Sequence, residues 1–279
     1  MKARVWGCRG SIAAPGTETM RYGGNTSCVE VRLDDGAVIV LDAGTGIRAL
    51  GLELAQQGPR RIDLLLTHLH VDHVEGLGVF EPIWRSETEL HIWGPPSPVA
   101  SLDERLATYF SPPLFPVHLS EVPATCVFHD APDGGWSIGG ATLWSQPIQH
   151  PGSTVGYRIE AEGGALAYLT DHEPALGADL EVPPEWISGH AIAFGADVLI
   201  HDCQYTDDEY VSRFGFGHTS TGQLARFAAM EKVDRLVLFH HDPMHTDAEL
   251  DRMRERVIEA WDVDPDRVLL AAEGLTLSI

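Results

Sequence analysis

The chain has 279 residues, 44% of them hydrophobic and 22% charged, the balance of an ordinary globular protein able to bury a large core. Nineteen Lys and Arg stand against 41 Asp and Glu, a formal net charge of -22; this field repels a long polyanion, so extended nucleic acid is disfavoured as a partner, while a small anion drawn to bound divalent cations is not. No run approaches the roughly 20 apolar residues of a membrane span, the N-terminus lacks the apolar stretch of a secretion signal, and Cys8, Cys28, Cys126 and Cys203 form neither a Cys-x-x-Cys pair nor a disulfide framework, so a reduced, cytoplasmic protein with no membrane partner is expected.

Short β-rich runs predict strands at Lys2 to Trp6, Cys28 to Leu33 and Ala37 to Leu41, the last two joined by the turn sequence Asp34-Asp35-Gly36. Asp42-Ala43-Gly44-Thr45-Gly46 opens a segment, Ile47 to Gln57, in which Ile47, Leu50 and Leu54 recur at helical spacing before Gly58-Pro59 closes it. Arg61 to Thr67 is a buried-strand run that ends at His68. Between residues 95 and 123, Pro-rich stretches bracket a short helical pattern, Leu102 to Phe110, which predicts an inserted lid rather than a domain boundary. Strand patterns resume at Thr142 to Ser145, Val155 to Ile159, Ala165 to Thr170 and Val198 to His201, and two amphipathic helices, Thr221 to Lys232 and Asp247 to Trp261, flank a strand from Arg235 to Phe239. Strands and helices fill both halves with no linker-like composition, so one α/β domain over residues 1–279 is expected.

The chemistry concentrates in Thr67-His68-Leu69-His70-Val71-Asp72-His73, which places three imidazoles and a carboxylate within six residues at a strand end. On an extended segment residues i and i+2 face the same way, so His68 and His70 can reach one metal while the following turn carries Asp72 and His73 toward a second. Each metal needs ligands from elsewhere, and His150, Asp171 and His240 each follow another apolar run. His240 and His241 are adjacent, and either can serve as the late ligand. Leu236-Val237-Leu238-Phe239-His240 repeats the shape of Leu64-Leu65-Leu66-Thr67-His68, which favours His240. Taken singly, His91, His118, His129, His172, His190 and His201 read as ordinary polar residues.

The His-x-His-x-Asp-His run, with Asp42 before it and His150, Asp171 and His240 after it, resembles the motif series of the metallo-β-lactamase superfamily over nearly the whole chain. Asp42-Ala43-Gly44-Thr45-Gly46, Gly156-Tyr157-Arg158 and Gly217-His218-Thr219-Ser220 are similar to its ribonuclease Z and cyclic-nucleotide phosphodiesterase branch. The resemblance implies a four-layer αβ/βα sandwich with two divalent metal ions, Zn with Mn or Fe as alternatives. It implies that His68, His70 and His150 hold one ion, that Asp72, His73 and His240 hold the other, and that Asp171 bridges them. Asp42 is expected behind the cluster, orienting a ligand histidine, or else as a turn residue or helix cap.

Two such ions suit an in-line displacement at phosphorus, so the expected activity is hydrolysis of a small, even cyclic, phosphodiester. Asp72 would orient the nucleophile, and His218 would stabilise charge or protonate the leaving oxygen. A tRNA 3′-end nuclease is the near alternative, but the Pro-rich 95–123 insert carries just one arginine, Arg105, where that family uses a basic arm. Lactam, lactone or thioester hydrolysis and a non-hydrolytic sensor or di-iron redox role are more distant readings. The expected partner is a small anionic substrate, with a homodimer allowed for.

Overall fold

The computed structural model describes residues 1–58, 60–176 and 180–279. In chain order the strands are β1 (Lys2–Gly7), β2 (Cys28–Arg32), β3 (Val38–Leu41), β4 (Arg61–Leu65), β5 (Glu89–Gly94), β6 (Thr125–Asp130), β7 (Gly134–Ile138), β8 (Ala141–Pro147), β9 (Val155–Ala161), β10 (Gly164–Leu169), β11 (Val198–Asp202), β12 (Arg235–Phe239), β13 (Val268–Leu270) and β14 (Thr276–Ser278). The helices are α1 (Ile47–Gln57), α2 (Val71–Val74), α3 (Leu102–Tyr109), α4 (His190–Ala193), α5 (Asp207–Arg213), α6 (Thr221–Met230) and α7 (Asp247–Trp261). Two seven-stranded sheets result, in the orders β14-β1-β2-β3-β4-β5-β6 and β13-β12-β11-β10-β9-β8-β7.

Strand alternation builds the layers, because successive side chains leave opposite faces. In β3, Ile39 and Leu41 enter the core between the sheets, while Val38 and Val40 enter a second core shared with Ile47, Leu50 and Leu54 of α1. In β12, Val237 and Phe239 face the inter-sheet core, and Leu236 and Leu238 face a third core with Leu224, Phe227 and Ala228 of α6 and Leu250, Met253 and Val257 of α7. The order is helix, sheet, sheet, helix, the expected four-layer sandwich. Strands buried on both faces read as unbroken apolar runs, which is why these were legible.

Both sheets are mixed. β3 through β6 run parallel, as do β10 through β13, and the remaining pairs are antiparallel. Parallel strands bring several carboxyl ends to one edge, where ligand sites of open α/β sheets form.

Local signals set the helix ends. Thr246 and Glu249 form a capping box that starts α7, and Thr206 and Glu209 do the same for α5. Gly58 takes the left-handed conformation that ends α1, its N–H bonding Leu54 O; Pro59, the other half of the expected stop, lies outside the described residues. Patterning does not mark β5, β6, β7, β13, β14 or α5. β7 holds Gly134 and Gly135, and β13 and β14 have three residues each, too little for a periodic signal. In the 95–123 segment, Leu102, Leu106, Phe110 and Leu119 are buried in the same core as α1. Among the described residues no helix is long and apolar enough to cross a membrane.

Candidate metal centre

Six strand ends supply the site, His150 following β8 after Ile148-Gln149. Asp42 follows β3, His68 follows β4 after Leu66-Thr67, Asp171 follows β10 after Thr170, Asp202 is the last residue of β11, and His240 follows β12. His70 is extended, with φ -64° and ψ 153°, and α2 begins directly after it. That break between extended and helical backbone separates His68 and His70 from Asp72 and His73. Two groups of side chains each offer four ligand atoms within 4.8 Å of one another: His68, His70, His150 and Asp171, and Asp72, His73, Asp171 and His240. Asp171 belongs to both. Its Oδ1 lies 3.7 Å from His68 Nε2 and 3.8 Å from His150 Nε2, and its Oδ2 lies 3.0 Å from His73 Nε2 and 3.1 Å from His240 Nε2.

The far side of each ring is held. His150 Nδ1 donates to Gly217 O at 2.9 Å and His240 Nδ1 to Gln204 Oε1 at 3.0 Å, which leaves both Nε2 lone pairs facing the cluster. His73 Nδ1 lies 2.9 Å from Asp42 Oδ2, close but not aligned as a hydrogen bond. Asp42 in turn accepts from Thr67 N–H at 2.8 Å and from the Tyr168 hydroxyl at 3.0 Å, so it stands behind the cluster as the resemblance implied. Asp72 Oδ2 accepts Ser11 N–H at 2.7 Å. Asp42, Asp171, His240 and Ser11 have φ of 61°, 52°, 55° and 62°, a left-handed conformation that costs an L-residue of order 1–3 kcal/mol and persists where surroundings enforce it, often at functional sites.

Three observations show that these residues fit divalent cations. His68 Nε2 is buried without a hydrogen-bond partner, an orphan that a cation would satisfy. Burial, then the neighbouring His73, holds the His68 imidazole well below its ordinary pKa, and burial lowers His150, so both rings are neutral, as ligands must be. Burial would raise Asp72 and Asp171, but the surrounding imidazoles prevail and hold both carboxylates below their usual range. His73 is the exception. Burial opposes its charge, yet Asp171, Asp72 and Asp42 raise it well above the usual range, marking where the carboxylates call for positive charge.

His218 lies beside this cluster. Its ring stacks on His240 at 5.0 Å and meets His150 edge-on at 5.2 Å. Its Nδ1 donates to Asp202 Oδ2 at 2.6 Å, and Asp202 Oδ1 accepts the backbone N–H groups of Thr219 at 2.9 Å and Gln204 at 3.1 Å. Burial, the largest influence, would lower the His218 pKa; the Asp202 carboxylate outweighs it and raises it to about 9.

All seven residues expected as ligands therefore meet in one place, with Asp42 and His218 next to them. His241 points elsewhere, Nε2 to Ala271 O at 3.0 Å, and burial lowers it to about 3. His172 and His201 lie apart from the ligand groups, bonded to each other at 2.9 Å. Sequence reasoning missed Asp202, Gln204, Tyr168 and Ser11. Asp202 carried a signal, since it ends an apolar strand just as His240 follows one; the contact of Ser11 with Asp72, 61 residues away, carried none.

Comparison with known proteins gives the family and the fold. A family model described as the β-lactamase superfamily domain matches residues 38–241. Ribonuclease Z of Thermococcus onnurineus (strain NA1) is 24% identical over 247 residues, covering 74% of this chain and 76% of that protein. The metallo-β-lactamase fold protein YhfI from Bacillus subtilis superimposes with a TM-score of 0.71 at 17% identity, covering 99% of both chains. Zn(2+)-bound PqqB from Methylobacterium extorquens does so with a TM-score of 0.68 at 20% identity, covering 100% of both. A family model spanning most of the chain, over a two-sheet sandwich whose strand ends gather the His-x-His-x-Asp-His run with His150, Asp171 and His240, places this protein in the β-lactamase superfamily, with the metallo-β-lactamase fold.

Proposed function

We propose that the protein is a binuclear metal-dependent hydrolase of small phosphate diesters. The observation that carries this reading is Asp171, whose two oxygens face two different sets of imidazoles, the arrangement of a carboxylate shared between two ions. His68, His70 and His150 would hold one ion and Asp72, His73 and His240 the other. The nitrogen-rich donor set suits Zn, with Mn or Fe as alternatives. When bound, such a pair supplies Lewis-acid chemistry, polarising a phosphoryl group and making water nucleophilic near neutral pH.

The chain's own groups do the rest. Asp72, fixed at Oδ2 by Ser11 N–H, orients the attacking water. Asp202 accepts the Nδ1 proton of His218, and its charge, outweighing burial, raises the imidazole to about 9, which favours a second proton on Nε2 near neutral pH. That proton either passes to the leaving oxygen or stabilises charge developing on the phosphoryl oxygens. The buried, hydrogen-bonded carboxylate holds the ring in one orientation.

A small diester is favoured over RNA by the net charge of -22 and by the 95–123 segment with its single Arg105. The match to a ribonuclease Z supports diester chemistry and keeps tRNA 3′-end cleavage as the second reading. Protein of measured metal content, assayed on cyclic nucleotides, linear diesters, a lactone and precursor tRNA, tests both. Turnover of small diesters is expected. Efficient tRNA trimming that weakens steeply with salt would shift the reading to RNA, and turnover of the lactone alone would overturn it.

A further inference from the structure

Beside the ligand groups opens a cleft of about 280 Å³, close to the lower end, about 300 Å³, of small-molecule sites. His68 and His70 line it, Ser97 and Arg105 reach it from the 95–123 segment, and Gly152 and Ser153 reach it from the loop after His150. Arg105 is the one Lys or Arg among the described residues lining this cleft. Its Nη2 donates to Pro95 O at 2.7 Å and its Nε to Ser101 O at 3.4 Å, which fixes the plane of the guanidinium. Among the described residues, no carboxylate lies within ion-pair distance of it, whereas Arg4, Arg21, Arg32, Arg61 and Arg158 each have one. A pre-oriented guanidinium without a counter-ion, opening on a cleft in a chain with 41 acidic residues, is suited to a planar or tetrahedral oxyanion, which it can grip through paired N–H groups.

Resting on the diester reading above, we propose that the substrate carries a second anionic group, a phosphate monoester, and that Arg105 binds it while the diester lies at the ligand cluster. Arg105 is thus a specificity-determining residue that selects phosphorylated diesters from neutral-ended ones. Ser97 and Ser153 line the same cleft, and serine hydroxyls can donate to further phosphate oxygens.

The test compares TpT with pTpT, dinucleotides with the same scissile diester that differ by one terminal phosphate. Wild-type protein should prefer pTpT in kcat/KM by about tenfold or more, mostly through KM, the size of one charge-assisted contact. Arg105→Gln can still donate to Pro95 O but has no charge, so it separates phosphate binding from tethering of the segment. In Arg105→Gln and Arg105→Ala the preference should fall toward one, and Arg105→Lys should retain part of it. Calorimetric titration of the metal-loaded proteins with pTp and with thymidine 3′-monophosphate supplies a readout that needs no turnover. pTp should bind wild type about tenfold tighter, and the Gln variant should lose that difference while its melting temperature stays near wild type. An equal preference in wild type and Arg105→Gln, in either assay, overturns the proposal. If no diester is turned over, the functional reading fails, and the calorimetric ratio still decides whether Arg105 binds phosphate.

Discussion

Asp202→Asn is the most informative single substitution. Asn keeps the size of the side chain and an oxygen to accept Thr219 and Gln204 N–H, so the loop is retained while the charge opposite His218 disappears. The carboxylate is fully buried and 2.6 Å from His218 Nδ1, where a charge-assisted hydrogen bond contributes about 1.5–3 kcal/mol. The rise of His218 from its ordinary 6.5 to about 9 gives a similar figure, on the order of 3 kcal/mol, by linkage. Because the folded value is raised, this stabilisation is fully present below about pH 6.5 and is lost as the pH rises through about 9. Urea unfolding of metal-free protein across that range should therefore show the variant less stable on the acidic side, with the gap closing in alkali. A gap that does not vary with pH would refute the pairing of Asp202 with a protonated His218. In metal-loaded protein the variant should keep both ions and lose about a hundredfold in turnover, the scale of a general acid. The loss should be larger for an alkoxide than for a nitrophenolate leaving group, and equal turnover to wild type on both would remove the dyad from the mechanism.

Purified protein should carry two transition-metal ions per chain by elemental analysis; His240→Ala should lower that content, whereas His241→Ala, whose ring faces Ala271 O, should keep both ions. Gly217→Ala should impair metal binding and turnover together, because its Cβ would sit 2.3 Å from His150 Nδ1 on a backbone with φ of 88°; wild-type metal content and rate in that variant would show that the Gly217 loop does not hold His150. Small diesters should be hydrolysed and precursor tRNA left intact, as gel and chromatographic assays on one preparation would establish.

How much was legible follows from the range of each interaction. β3 and β12 are buried on both faces, and α1, α6 and α7 carry one apolar stripe, so local periodicity announced them. β7 has two glycines and β14 has three residues; these form because a neighbouring strand supplies hydrogen bonds, a reason no window of sequence contains. The ligands followed the same rule, since His68, Asp171 and His240 each come directly after an apolar run that ends at a sheet edge.

The sequence by itself determined an α/β domain and a cluster of candidate metal ligands, and its resemblance to the metallo-β-lactamase superfamily implied the four-layer sandwich. Its apolar runs of strand and helix period call for sheets covered by helices, and six residues crowded with imidazole and carboxylate at a strand end suit metal ligation. Tertiary structure decided how the groups meet and brought in Asp202, Gln204, Tyr168 and Ser11. Parallel pairing of β3 with β4, and of β10 with β11 and β12, carries Asp42, Asp171, Asp202 and His240 to the edge where His68 ends its strand. The tertiary structure set into the cluster His240, which the strand repeat favoured over His241, through a left-handed residue at the strand end, and it alone turned Arg105 of α3 onto the cleft beside His68 and His70. Side-chain identity is local information, whereas the distance between side chains far apart in the chain is settled by the packing of all the layers together.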